Sequence, residues 1–422
     1  MFSGMPSFAV MNRYGVDAEQ TAGREGWTTI KCASKRAYGC GESGDSAVQD
    51  LDLLLYHGDL ENLSTSLSVR AGDKVFSWIH EVIVAKQGAG SSRVQNLKKV
   101  PYFRFLVEIV DRSLIVVILS FPEQGGHEYY LVFDAVDRSL SLTPYISDWA
   151  TCYTPCPLPL RRDDGGYSLV LFGGLFGRRD GENDLLLQWS PSSSPSSGQL
   201  WQAKEPRLPA EIEEHFFSPD VLFSFNGMAF WTDLALGALC CDRTAVLRPG
   251  PVGFTFIGLP PGYQIDRDED NWPVSVYRTM GCAGGSIKFV SIDKPDDPYR
   301  GPRMKVWTLA PSSGEWTLYS DVRLKSMWKH YFKPAGLPKN LPMWPVLREQ
   351  EEGATLYFML ADKNTQQTRD EVKKHYICRL DMPTKTLLSY KLLTFSSLNQ
   401  GPVILPSGFF DYLEPLPLPG RS

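Results

Sequence analysis

The chain has 422 residues, of which 43% are hydrophobic and 12% aromatic, and this composition excludes a mostly disordered molecule. Its net charge of -5 offers no basic field to a phosphate backbone, so we expect no nucleic-acid partner. The longest apolar run, residues 114–119, is far shorter than a bilayer span, and the first residues resemble no secretory signal. We therefore expect a protein of the cytoplasm or nucleus without membrane contact.

Short apolar runs separated by turns follow one another along the chain and predict an all-β protein with few short helices. Each run is rich in β-branched residues, leucine and aromatic residues, which are typical of strands. The only helix predicted covers residues 209–217, where proline stands first and acids follow. The predicted strands are residues 114–119, 129–133, 167–172, 184–189, 221–225, 287–292, 304–309, 355–360 and 375–380.

Turn-forming residues join strand pairs at 133–140, 189–201, 307–316 and 380–387, which predicts hairpins. The pairs recur at roughly 45 to 75 residues, near the spacing of propeller blades that carry loop insertions. Many strands are apolar on both faces, as expected for a sheet packed between two neighbouring sheets. We predict a β-propeller of antiparallel four-stranded sheets with about six or seven blades; two stacked β-sandwiches are the alternative.

The predicted propeller forms one domain over residues 26–418. Residues 1–25 are expected to be disordered or loosely ordered, and residues 419–422 form a tail. The low-complexity segment 190–198, rich in serine and proline, is interpreted as a loop tip inside a hairpin.

One part of the chain carries a family resemblance. It begins with two short strands around a glycine, at residues 231–242, and continues with a leucine–proline turn, an arginine before a glycine-led strand, and a tryptophan pair. In order and spacing, residues 231–418 resemble the plant, grass-expanded domain of unknown function DUF1618 family. The resemblance implies a plant protein with a propeller-like domain, and it implies no catalytic residue. The matching segments are residues 231–242, 256–262, 278–290, Trp307 with Trp316, and 405–408.

These family-like residues are suited to structural roles. Trp231 and Trp307 are large enough to fill the space between adjacent sheets, and Gly284–Gly285 permits a chain reversal. Cys240 and Cys241 are neighbours in a strand, where successive side chains face opposite ways, so we expect buried thiols without a mutual disulfide.

Two partial ligand patterns occur, and neither predicts a metal site. Residues 266–270 resemble the start of a calcium loop, but Asn271 replaces the required glycine and Tyr277 the closing acid. Cys152 and Cys156 have a spacing that zinc accepts, but no second ligand pair lies nearby. Phosphate-loop, zinc-protease and serine-hydrolase motifs are absent from the sequence. We therefore predict no cofactor and no metal, and disfavour an enzyme.

The sequence favours a monomeric interaction module that binds an unknown protein partner. Trp328, Tyr331, Phe332 and Trp344 are the candidate partner-binding residues. Residues 325–333 combine aromatic and basic side chains, and form either a binding loop or a segment packed between blades. Two alternatives remain: an enzyme with a site in the central channel, and a substrate-receptor-like adaptor in ubiquitin ligation without a recognisable adaptor motif.

Overall fold

The computed structural model describes most of the chain with gaps between secondary-structure elements. The described residues are 8–11, 27–57, 64–87, 104–111, 113–121, 127–144, 150–152, 156–175, 184–191, 201–212, 215, 217–265, 273–294, 301–310, 314–347, 355–361, 375–393 and 403–406.

Six sheets of four or five strands form a β-propeller, which confirms the predicted fold class and gives a blade count of six. Blades 1 and 2 each contain strands from distant parts of the chain. Blade 1 comprises β1 (Phe8–Met11), β2 (Trp27–Thr29), β4 (Leu51–His57), β5 (Ser64–Ala71) and β29 (Val403–Pro406). Blade 2 comprises β3 (Ser34–Ala37), β6 (Arg104–Asp111), β7 (Leu114–Phe121), β8 (His127–Asp134) and β9 (Ser139–Pro144).

Blades 3 to 6 are built from strands that follow one another along the chain. Blade 3 comprises β10 (Ala150–Cys152), β11 (Leu158–Arg161), β12 (Tyr167–Leu175), β13 (Asp184–Trp189) and β14 (Gln202–Lys204). Blade 4 comprises β16 (Val221–Phe225), β17 (Met228–Asp233), β18 (Gly237–Asp242) and β20 (Thr255–Gly258). Blade 5 comprises β21 (Arg278–Ala283), β22 (Ser286–Asp293), β23 (Arg303–Ala310) and β24 (Glu315–Arg323). Blade 6 comprises β25 (Met343–Leu347), β26 (Thr355–Ala361), β27 (His375–Asp381) and β28 (Thr386–Leu393).

The remaining elements connect the blades. A short parallel ladder joins β15 (Pro206–Arg207) to β19 (Val252–Gly253). The α-helices are α1 (Gly41–Gln49), α2 (Asp73–Gln87), α3 (Arg243–Leu247) and α4 (Leu324–Met327). A π-helical turn covers Trp328–Phe332, and 3-10 turns cover Ala210–Ile212 and Val274–Val276.

Adjacent blades contact each other through an edge strand of each sheet. Strand β11 contacts β16, β16 contacts β21, β21 contacts β25, and β29 contacts β6. In blade 1, β1 pairs antiparallel with β29, so one sheet joins segments from opposite ends of the described chain. In blade 2, β3 runs parallel to β9 and adds a fifth strand at the outer edge.

The hydrophobic core is divided among the spaces between blades, which explains why so many strands are apolar on both faces. Leu114, Val116 and Ile118 of β7 pack towards blade 3, whereas Ile115 and Val117 pack towards blade 1. A strand that alternates between two cores has no solvent face, so period-two polarity disappears from its sequence.

Each of the nine predicted strands lies within an observed strand, and the predicted hairpins join β8 to β9, β13 to β14, β23 to β24 and β27 to β28. Among the described residues of the predicted helix 209–217, Ala210–Ile212 form a 3-10 turn instead of the start of an α-helix. Strand β1 lies inside the segment 1–25, for which the sequence predicted loose order.

Helix α2 was missed although its sequence contains the signal. Its residues Val75, Ile79 and Ile83 are buried at four-residue spacing, with Trp78 beside them. The helix is rich in valine and isoleucine, which favour strands, and packing of this face in the core between blades 1 and 2 overrides that preference.

The adjacent cysteines behave as predicted. Cys241 packs between blades 3 and 4, whereas Cys240 packs between blades 4 and 5, and both are free thiols. Burial raises the pKa of Cys240 to about 11 and that of Cys241 to about 12, with the Cys240 and Asp242 charges adding to the effect at Cys241. Both side chains therefore remain protonated and serve as small core residues.

Candidate functional site

The connection from blade 5 to blade 6 covers the core between these blades with a short helical segment. Helix α4 continues directly into the π-helical turn, where the Lys333 amide donates to the Trp328 carbonyl oxygen at 2.9 Å. Leu324, Met327 and Phe332 are buried in the inter-blade core. The five-residue repeat of the π-helix places Phe332 inwards, where a regular α-helix would place Tyr331.

The opposite side of this segment is cationic. Between residues 322 and 347 the sequence contains no aspartate or glutamate. We define the basic surface as the exposed side chains of Arg323, Lys325, Lys329, Lys333 and Lys339. Within the described part of the chain, none of these five cations forms an ion pair with a carboxylate. The surface therefore carries uncompensated positive charge on a protein of net charge -5.

Two aromatic side chains accompany the basic surface. Trp328 and Tyr331 are half-buried and pack against the inter-blade core. The Lys339 ammonium lies 5.8 Å from the centre of the Trp328 ring, within the range of a cation–π contact. Aromatic rings held at the edge of a core present apolar area to a partner with little further loss of side-chain entropy.

The other two predicted anchors lie elsewhere. Phe332 is 1% exposed, and its ring centre lies 6.1 Å from that of Phe358, so its assignment as an exposed anchor is corrected to a core residue. The reason is the π-helical turn described above. Trp344 is half-buried on β25 and packs with Tyr357 and Met359 on the other core of blade 6. The structure therefore brings together Trp328 and Tyr331, but neither Phe332 nor Trp344 joins them at the surface.

A polar cluster at one end of blade 5 is already satisfied internally. Asp293 accepts hydrogen bonds from Tyr263 Oη at 2.9 Å and Ser291 Oγ at 2.6 Å, and its Oδ2 lies 3.1 Å from Lys305 Nζ. Burial raises the pKa of Tyr263, with the nearby Asp293 charge acting in the same direction. These bonds tie the loop after blade 4 to blade 5, which is a structural role.

The alternative function, an enzyme, was expected to have its site in the central channel, and the edge strands at the contacts between blades bear on this alternative. Among the described side chains of β6, β11, β16, β21 and β25, the charged groups are Arg104, Arg161 and Arg278, without histidine or acid. No group of three or more metal-ligating side chains occurs in the described ranges. Residues 266–270 and the Cys152 side chain lie outside the described residues.

The family-like residues have structural roles. Trp231 is fully buried between blades 3 and 4, as predicted. Asp233 is also fully buried, and its carboxylate accepts hydrogen bonds from the amides of Ser218, Ala235 and Leu236 at 2.8–3.2 Å. Gly284 and Gly285 adopt positive φ of 57° and 68° in the β21–β22 turn, as predicted. These contacts hold together the β17–β18 hairpin and its neighbours.

The fold and the surface of the described residues define a six-bladed β-propeller with a basic, aromatic inter-blade connection. Residues 231–357 match the model of the family described as Protein of unknown function (DUF1618). The match confirms the resemblance found in the sequence, and the family description names no activity. No match was found among curated proteins.

Several solved structures align with long stretches of the chain at low similarity. A protein of unknown function from Dyadobacter fermentans shares 10% identity over 93% of this chain and 88% of its own, with a TM-score of 0.34. The WD40 domain of SCAP from fission yeast shares 8% identity over 83% of this chain and 73% of its own, with a TM-score of 0.32. The computationally designed Ika8 protein shares 11% identity over 68% of this chain and 61% of its own, with a TM-score of 0.30.

The helices in the described ranges include none long and apolar enough to cross a membrane.

Proposed function

We propose that this chain is a non-catalytic β-propeller scaffold for protein–protein interaction, and that its partner contacts the connection between blades 5 and 6. One observation carries the proposal: half-buried aromatic rings and cations without carboxylate partners occur together on one exposed helical segment of the described chain. Tryptophan and tyrosine are typical of the energetically important part of a protein interface, and exposed lysines around them are suited to its charged rim.

The segment is fixed before any partner arrives. Leu324, Met327 and Phe332 anchor it in the core, and the Leu324 amide donates to the Pro302 carbonyl oxygen at 3.1 Å. A preorganised segment loses little conformational freedom when it binds, so more of the contact free energy contributes to affinity. We assign Trp328 and Tyr331 as the aromatic anchors.

The proposal extends to the cellular setting. The family resemblance supports a plant protein, and the described cysteines form no disulfide with one another, as is usual in a reducing compartment. We therefore propose a monomer that acts in the cytoplasm or nucleus.

The first test is affinity purification of the tagged full chain from plant extract, followed by mass spectrometry. The double variant Trp328→Ala and Tyr331→Ala should lose its partner, because truncating two interface anchors costs about 2 kcal/mol or more each, about 30-fold in dissociation constant. Tyr390→Ala is the matched control, since Tyr390 is 42% exposed on β28, in another part of blade 6.

Circular dichroism and thermal unfolding establish that each variant is folded before its partners are compared. Equal recovery by wild type and the folded double variant would contradict the proposal. Trp344→Ala, tested in the same way, determines whether β25 contributes to the interface as the sequence suggested.

A further inference from the structure

We infer that the segment bound by the basic surface is an extended, acidic stretch of a partner protein with carboxylates at every second residue. This inference rests on the proposed function and specifies the chemistry of the partner. It is carried by the charge of the basic surface, the spacing of its lysines and the small extent of the surface.

The positive charge of this surface is not neutralised by the rest of the described protein. The nearest preceding carboxylate, Asp321, is occupied by Arg303, whose Nε and Nη2 atoms donate to its two oxygens at 2.8 and 2.5 Å. The Arg303–Asp321 ion pair therefore leaves no carboxylate at this end of β24 to neutralise Arg323 or the lysines that follow it.

The lysine spacing fits an extended chain. Lys325, Lys329 and Lys333 recur every four residues along the helical segment, so their Cα atoms are separated by about 6 Å or slightly less along its axis. In an extended strand the side chains on one face recur at about 6.6 Å. The distance between carboxylates at alternate positions of a strand is therefore close to the distance between successive lysines of the row Lys325, Lys329 and Lys333. The side chains between those carboxylates face away from the lysine row.

The size of the surface and the net charge of the protein favour a carboxylate-bearing peptide over a nucleic-acid backbone. The row of three lysines is about 12 Å long, which is too short for many phosphate contacts. The net charge of the whole protein is negative, which disfavours a nucleic acid.

The test measures fluorescence anisotropy of short labelled peptides with the full-length protein. The probe alternates glutamate with threonine; a lysine–threonine peptide and a single-stranded DNA of equal charge are the comparison ligands. We expect the glutamate peptide to bind and to weaken about tenfold when salt rises from about 50 to about 300 mM, because the contacts are exposed and screened. The lysine peptide should not bind.

Charge reversal identifies the surface responsible. Lys329→Glu should weaken the glutamate peptide about fivefold, and the triple variant with Lys325→Glu and Lys333→Glu should abolish binding. Lys74→Glu is the matched control, since Lys74 is an exposed lysine on α2. Equal binding of the glutamate peptide to wild type and the triple variant would overturn the inference, as would DNA binding that exceeds peptide binding.

The same variants separate this inference from the proposed function. If the aromatic double variant loses its captured partner while the lysine triple variant retains it, the interaction surface stands and the acidic partner is refuted. If neither variant loses the partner, the proposed function itself is refuted.

Discussion

The ion pair between Asp134 and Arg161 offers a quantitative test of how the blades are held together. Asp134 ends β8 in blade 2, and Arg161 ends β11 in blade 3. The guanidinium donates to both carboxylate oxygens, at 2.5 and 2.6 Å, and also to Ser113 Oγ. The Asp134 side chain is 3% exposed, whereas that of Arg161 is 19% exposed.

This difference in exposure predicts unequal effects of removing the two partners. Arg161→Met leaves a carboxylate that has almost no access to water, so we expect the free energy of unfolding to fall by about 5 kcal/mol. Asp134→Ala leaves a guanidinium that keeps Ser113 and part of its hydration, so we expect a loss of about 3 kcal/mol. The double variant should lose less than the sum of the two, because neither charge is then buried alone.

Urea unfolding, followed by tryptophan fluorescence and circular dichroism, measures all four proteins of this double-mutant cycle. Agreement of the two probes establishes that a single transition is observed. The reasoning is refuted if each single variant loses less than about 1 kcal/mol, as an exposed ion pair would. Additive losses would equally show that the two side chains do not act as a pair.

Three further predictions concern buried residues elsewhere in the propeller. Asp233→Ala should lower the free energy of unfolding by about 3 kcal/mol in urea, because three buried amides lose their common acceptor; a loss below about 1 kcal/mol would contradict this. Gly237→Ala should lower the melting temperature, because the added methyl group would collide with the Ile257 carbonyl oxygen and Gly237 has a backbone φ of 156°. An unchanged thermal transition would show that β20 moves away from the methyl group without loss of stability. Lys288→Met should raise the melting temperature at neutral pH, because burial lowers the pKa of this lysine below its ordinary 10.5 and its charged form carries a desolvation penalty. That penalty is present below the lowered pKa of the folded state and disappears as pH rises towards 10.5, so the advantage of the variant should narrow in alkaline solution.

The local sequence determined the strands and the turns of this protein. Residues 114–119 and 356–360 are apolar at every position, and short runs of this kind are typical of strands buried on both faces. Polar and proline-containing turns at 133–140 and 380–387 then define hairpins, because they reverse the chain without help from distant residues. The size of the Trp231 side chain likewise predicted its position between two sheets.

Only the tertiary structure decided which distant segments pair and which aromatic residues reach the surface. Strands β1 and β29 pair although almost the whole chain separates them, and nothing in four residues of sequence specifies so remote a partner. Helix α2 forms because one of its faces is buried between blades 1 and 2. Tyr331 and Phe332 are adjacent aromatic residues, and the π-helical turn alone determines that the first remains half-exposed while the second enters the core.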